Sequence, residues 1–314
     1  MELRALQEPG GTGILLTSRA LDAGWNRVAV CRRLRAEGWT RIRNGAWAEP
    51  GRSVDLTIRL RATQLLSPQL LVSHRSAARL WRIETLNREW EVRPGKGRSP
   101  ELEFTDPSRC FRQSVPGVRV HRIPVAEAEV TRLSGLRVTD VPRTLADLLR
   151  SGPRNDALVA VESALGYRTV DGVRRVPLTA PAALSIALEP PLRGAPRARE
   201  WLLLADRHSG SPAETVARLH MLDADLRPES QVELRVPGGG RRYLDFLFRE
   251  KGLAVEIEGY AYHGTRSSHR RDVARFNEVL RCSEVRALLR FTAEDVFHHP
   301  PKLITQIRTV LASL

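Results

Sequence analysis

The chain has 314 residues, with 50 Lys+Arg against 36 Asp+Glu and a formal net charge of +14. That charge favours polyanionic partners, nucleic acid first, and the length allows two or three domains with proper cores. Cys31, Cys110 and Cys282 are odd in number and far apart, which excludes a disulfide framework or a cysteine zinc spacing; with no membrane-length apolar run and no signal-peptide pattern, a cytoplasmic protein without a membrane partner is expected.

In chain order, residues 14–48 read as one compact unit. Thr17 can cap a short helix ending at Gly24, and Asn26 can cap a second over Arg27 to Glu37. On the second helix Val30, Cys31 and Leu34 form a stripe for burial, while Ala29, Arg32, Arg33 and Ala36 point away. Gly38 stops it. Thr40 to Arg43 and Ala46 to Ala48 then flank Asn44-Gly45, the favoured two-residue hairpin turn. Helix, turn, helix, hairpin is the order of a winged helix-turn-helix. Its second helix would enter the major groove with Arg32 and Arg33, and Arg41 and Arg43 would ride the backbone. The competing reading is a small helical unit with a solvated basic face. The pattern, including R-x-L and then R-N-G-x-W, resembles the N-terminal domain of AbiEi-type antitoxins from abortive-infection systems.

Residues 55–205 carry fewer signals. Leu60 to Leu71 and Ser73 to Trp81 read as helices, and Ser73 is a cap candidate. His74 reads as a structural hydrogen-bonding residue, because no second ligand stands near it in sequence. Residues 93–116 read as a loop or strand linker rich in Pro, Gly and charge, and Val118 to Ile123 alternates as a strand. Thr139 to Leu149 and Asp156 to Leu165 are helical in texture, and Pro190 to Arg199 is the expected hinge into a C-terminal domain. This region resembles the segment after the winged helix in AbiEi-like proteins.

The C-terminal part holds the densest chemistry. Ser211-Pro212-Ala213-Glu214 is a helix start, with a Ser cap, Pro at the first turn and Glu at the third position. Residues 241–258 form a hairpin around Glu250-Lys251-Gly252. Alternation puts Tyr243, Asp245, Leu247 and Arg249 on one face and Leu244, Phe246 and Phe248 on the other. A turn on Glu250-Lys251 sets Asp245 opposite Glu256, and one on Lys251-Gly252 sets it opposite Glu258. Either gathers three carboxylates, which is costly unless something cationic is present. Because every donor is oxygen, magnesium is the expected ion before zinc. Gly259 to His263 leaves the strand, and Arg270 to Asn277 begins a helix with Val273, Phe276 and Leu280 as its apolar stripe. Val285 to Phe291 is a third strand, after which Thr292 can cap another helix.

Helix-Glu, strand-Asp, strand-Glu-x-Glu, helix, strand resembles the restriction-endonuclease-like PD-(D/E)XK nucleases. The nearest branch is that of the very-short-patch-repair endonucleases. The residues that carry this likeness are Glu214, Asp245, Glu256-Ile257-Glu258-Gly259, His263, Asp272-x-x-Arg275 and Leu289-Arg290-Phe291-Thr292, over roughly residues 208–314. The general motif has lysine where this chain has Glu258, and His263, Arg270 or Arg271 could substitute. The resemblance implies an α/β multi-domain protein: a winged helix-turn-helix over 1–52, an AbiEi-like mixed α/β region over 53–192 and a nuclease-like α/β domain over 193–314.

Two functional classes follow. In the first, a metal-dependent DNA endonuclease acts on double-stranded DNA. Asp245 and Glu256 hold Mg2+, Glu214 or Glu258 completes the shell, His263 relays protons, and Arg270, Arg271 and Arg275 join the DNA contacts. In the second, a non-catalytic antitoxin-like regulator keeps the nuclease fold as a phosphate-binding platform.

Overall fold

The computed structural model describes residues 3–8, 11–86, 101–111, 114–170, 172–236, 240–258 and 276–314. The chain is mixed α/β and divides into two compact units. One comprises Met1–Trp81 with Glu91–Thr144, and the other Arg82–Trp90 with Leu145–Leu314. This division differs from sequence boundaries at 52/53 and 192/193, because residues 145–192 pack with the C-terminal elements: Val159 shares a core with Val216 and Phe246. Among the described residues no helix is long and apolar enough to cross a membrane.

The first unit opens with a 3-10 turn (Leu3–Leu6), then β1 (Ile14–Leu16), α1 (Thr17–Asp22) and α2 (Arg27–Ala36), followed by β2 (Thr40–Arg43) and β3 (Ala46–Ala48). Asn26 caps α2 as expected, its side chain accepting from Val28 N at 2.9 Å, a bond of the kind worth about 1 kcal/mol. Thr17 does not cap α1; it is the helix's first residue, and its hydroxyl accepts from the Trp47 indole at 3.3 Å. The hairpin forms at Asn44-Gly45, with Gly45 at φ +88°, the left-handed geometry that such a turn requires. The β1 strand, which alternation did not reveal, pairs with β3 to make a three-stranded sheet. Val30, Leu34, Leu15, Trp39 and Trp47 form the core beneath.

The unit continues with α3 (Leu56–Leu66), β4 (Leu71–Val72), α4 (His74–Leu80), β5 (Leu102–Thr105), β6 (Val118–His121), β7 (Val130–Leu133) and β8 (Leu136–Thr139). The strands form a five-stranded sheet in the order β6-β5-β4-β8-β7. Helix α3 therefore ends five residues before the expected Leu71, which belongs to a buried strand instead. Leu60, Val72, Ala77, Phe104 and Val138 pack between sheet and helices.

α5 (Val141–Ser151) contains the division between the units. It is followed by α6 (Arg154–Leu165), the β9–β10 pair (Arg168–Val170 and Val173–Arg175), α7 (Pro181–Ala187) and α8 (Ala195–Leu202). The expected hinge at Pro190 to Arg199 is instead packed structure. Ala195 and Ala198 are fully buried on α8, and Arg199 donates to the Leu188 carbonyl at 2.7 Å. Then come α9 (Pro212–Asp223), β11 (Glu229–Arg235), β12 (Arg241–Phe248), β13 (Leu253–Glu258), α10 over 276–280, β14 (Ala287–Thr292), α11 (Ala293–His298) and α12 (Pro300–Ser313).

The second unit's sheet has the order β11-β12-β13-β14, antiparallel except for the parallel β13–β14 pair. One apolar cluster joins Phe246, Leu253, Val255 and Phe291 to Val216, Val296 and Leu303. Another joins Leu244, Leu247 and Ala254 to Val279, Cys282 and Val285. On α10 it is Val279 that is buried, whereas Leu280 is 49% exposed; the expected stripe through Val273, Phe276 and Leu280 is thus displaced by one residue, and Val273 lies outside the described residues. Thr292 caps α11 through a reciprocal pair with Asp295.

Candidate active site

The site starts at the first turn of α9. Ser211 Oγ accepts from Glu214 N at 3.2 Å, and Pro212 fills the first turn where no N–H is needed. Glu214 then folds back to accept from Gly210 N at 2.6 Å. A Cβ on Gly210 would lie 2.9 Å from the Glu214 carboxylate, so glycine is what lets the backbone come this close. Behind this turn α9 is anchored to α6. Glu162, fully buried, pairs with Arg218 and accepts from the Thr215 hydroxyl at 2.6 Å and from Asp206 N at 2.9 Å. Removing one partner from such a buried pair costs about 3–5 kcal/mol, so the helix that presents Glu214 is firmly held.

The hairpin register follows the first of the two expected alternatives. Phe246 pairs with Val255, Leu247 with Ala254 and Phe248 with Leu253. Asp245 and Glu256 are the next positions along the two strands. Gly252 at φ +67° closes the turn, and a Cβ there would meet the Glu284 carbonyl at 3.1 Å.

The strict alternation expected for β12 is broken at Asp245. Leu244 packs with Leu247 and Ala254, while Phe246 packs in the opposite cluster with Val255. Facing this break on β11 is Gln231, in the left-handed region at φ +48°. β11 and β12 pair on either side, Ser230 with Phe246 and Val232 with Leu244. Such an irregularity re-aims side chains, and a left-handed non-glycine residue costs on the order of 1–2 kcal/mol.

The result is a bridge between elements. Gln231 Nε2 donates to Glu214 Oε2 at 2.8 Å and to Asp245 Oδ1 at 3.1 Å. Asp245 Oδ2 accepts from Ile257 N at 2.7 Å, which ties β12 to β13 at the level of Glu256. Glu214 and Glu256 are 8% and 6% exposed. Burial, and then the charge of Asp245, push the Glu214 carboxyl up to about 7. Near neutral pH Glu214 is therefore readily protonated, and a cation beside it would favour its charged form. Gln231 is the residue that sequence reasoning missed; a polar side chain inside an alternating strand was its signal.

Glu258 is ion-paired with Arg290 from the parallel strand β14, and the Arg290 guanidinium lies 3.6 Å from the Phe276 ring centroid. A cation thus reaches Glu258 from a neighbouring strand. His263, Arg270, Arg271 and Arg275, the other residues expected here, lie outside the described residues.

In the first unit Arg32 and Arg33 are exposed on α2, and Arg33 is paired with Glu37. Arg41 is exposed and donates to Asn44 Oδ1 at 3.0 Å. Arg43 turns inward, half-buried, to the Thr63 hydroxyl; burial and then the charge of Arg59 lower its pKa.

Among the described residues, one group of three ligand-type side chains has its ligand atoms all within 4.8 Å of one another, and it is His74, Glu103 and His121 in the first unit. Glu214, Asp245 and Glu256 do not form a second such group, so the three carboxylates expected together are not all brought within that distance. His74 makes a hydrogen-bond contact of the kind expected of it, to Ser73 Oγ, and it also stands beside a second histidine and a carboxylate that are remote in sequence.

No protein-family model matches the chain. It is similar to two uncharacterized proteins from strains of Mycobacterium tuberculosis, each 28% identical over 207 residues, covering 66% of this chain and 72% of theirs.

Proposed function

We propose that the protein is a metal-dependent endonuclease of double-stranded DNA, its nuclease-like fold lying in the C-terminal part and its DNA-reading element in a winged helix-turn-helix. The carrying observation is the Glu214–Gln231–Asp245 bridge at the irregularity of β11 and β12, beside Glu256. Two carboxylates, Glu214 and Asp245, are held on one amide there at the cost of a left-handed residue and a carboxyl raised to about 7. A solvated acidic face needs neither.

The donor set fits a hard divalent ion, because Asp245 and Glu256 offer only oxygens and magnesium is commonly held by one or two carboxylates plus waters. Such an ion, when bound, makes a bound water acidic and offsets charge on the leaving oxygen. Gln231 fixes the facing oxygens of Glu214 and Asp245. Glu214, poised near neutrality, can hold or release a proton at its carboxylate. Arg290 can offer its guanidinium to a backbone phosphate as an alternative to Glu258. Arg32, Arg33 and Arg41 supply exposed charge for groove and backbone contacts.

Glu258 at the lysine position, paired with Arg290, favours the second reading, an antitoxin-like regulator that binds DNA without cutting it. A plasmid-cleavage assay with magnesium or EDTA decides. The endonuclease reading expects magnesium-dependent cleavage that Asp245→Asn abolishes while DNA binding stays equal or tightens, since phosphate repulsion falls. Binding without cleavage by the wild type would leave the regulator.

A further inference from the structure

The cluster in the first unit is not used by the DNA-cleavage reading. β4, β5 and β6 are neighbours in the five-stranded sheet. Each brings one group to it: His74 follows β4, Glu103 lies in β5 and His121 is the last residue of β6. Thr105 is paired with His121, and Ser73 N donates to the Glu103 carbonyl at 3.2 Å. Strand parity puts Glu103 and Thr105 on one sheet face, which accounts for His121 arriving beside Glu103.

The geometry between these groups suits an ion better than a hydrogen bond. His121 Nε2 stands 3.9 Å from Glu103 Oε2, beyond the roughly 3.2 Å limit of an ordinary hydrogen bond. Two ligands of a tetrahedral ion, with bonds of about 2.0–2.1 Å, lie about 3.4 Å apart, so a small contraction would complete the contact.

The surroundings orient the groups. The His74 and His121 rings stack at 3.5 Å with an interplanar angle of 11°; an ion lies near the plane of each imidazole that holds it, so on binding the His121 ring must turn out of this stack while His74 stays anchored. Ser73 Oγ lies 2.9 Å from His74 Nδ1 and accepts from the Thr105 hydroxyl at 2.8 Å. When Nδ1–H donates to Ser73 Oγ, the ring lone pair lies on Nε2, the nitrogen that would ligate. Arg75 N donates to Glu103 Oε2 at 3.1 Å. His74 is 2% exposed and sits in the left-handed region at φ +50°, a strained conformation that persists only where the surroundings over-determine it.

The geometry points to a divalent transition-metal site of the zinc class, held by His74, Glu103 and His121, with its fourth position left to solvent or a bound acceptor. Two imidazoles and one carboxylate disfavour magnesium, which prefers oxygen donors. The site is distinct from the acidic centre in the second unit.

The test uses the full chain without a polyhistidine tag, in an Asp245→Asn background that silences the other centre. Metal-stripped protein is titrated with cobalt(II), read by its visible d–d absorption, and with zinc by calorimetry. About one equivalent should bind, zinc should displace cobalt, and His121→Ala or Glu103→Gln should weaken binding at least about tenfold. Cobalt absorption that neither variant alters would overturn the assignment. If the variants fail to fold, the parent protein still decides: failure to bind either metal means the histidines are only a packed pair.

Discussion

Glu214→Gln removes one charge from a buried group and leaves its shape almost unchanged. Burial and then the Asp245 carboxylate raise the Glu214 carboxyl from an ordinary 4.5 to about 7. In the unfolded chain the group loses its proton near 4.5, and in the folded chain near 7, so between these values the native state binds more protons. Stability from this group is full below pH 4.5 and is lost as pH rises through 7. At about 1.4 kcal/mol per unit the loss is about 3 kcal/mol. The Gln variant has no proton to release and keeps an acceptor for Gly210 N. Wild type and variant should therefore be nearly equal at pH 4.5, and the variant should be more stable by about 3 kcal/mol at pH 8. Urea unfolding at a series of pH values, followed by far-ultraviolet circular dichroism, measures the difference. A gap independent of pH would refute the account of Glu214 as an acid strained by burial and by Asp245.

Gln231→Leu removes the amide between Glu214 and Asp245; it should push the Glu214 carboxyl higher still, shift the alkaline limb of a cleavage pH profile and slow cleavage at least about tenfold with DNA affinity unchanged. An unshifted profile would mean that the bridge does not set the site's proton affinity. Arg32→Ala with Arg33→Ala should weaken DNA binding and lower the slope of log affinity against log salt, by about 0.9 for each of the two that also neutralises a phosphate at the groove edge. An unchanged slope in anisotropy titrations would move the DNA contact away from α2.

Local chemistry was legible in the sequence. Asn26, Ser211 and Thr292 cap the helices they precede, because a cap is decided within three residues by a side-chain oxygen and an orphan N–H. The Asn44-Gly45 turn formed for the same reason, since glycine tolerates φ +88°. The turn narrowed the hairpin register to two alternatives, and only the strand pairing selected the one that sets Asp245 level with Glu256. Tertiary structure decided the rest. Leu71 left a helical pattern for a strand because a short apolar run suits either, and only pairing with Thr105 chose. Gln231 reaches Glu214 across 17 positions and Asp245 across 14, and a reversal of face at φ +48° has no periodic signature. His74, Glu103 and His121 meet because β4, β5 and β6 are neighbours in the sheet. Propensity and hydrophobic period act over one or two turns of chain, whereas strand order is set by how whole sheets bury their faces.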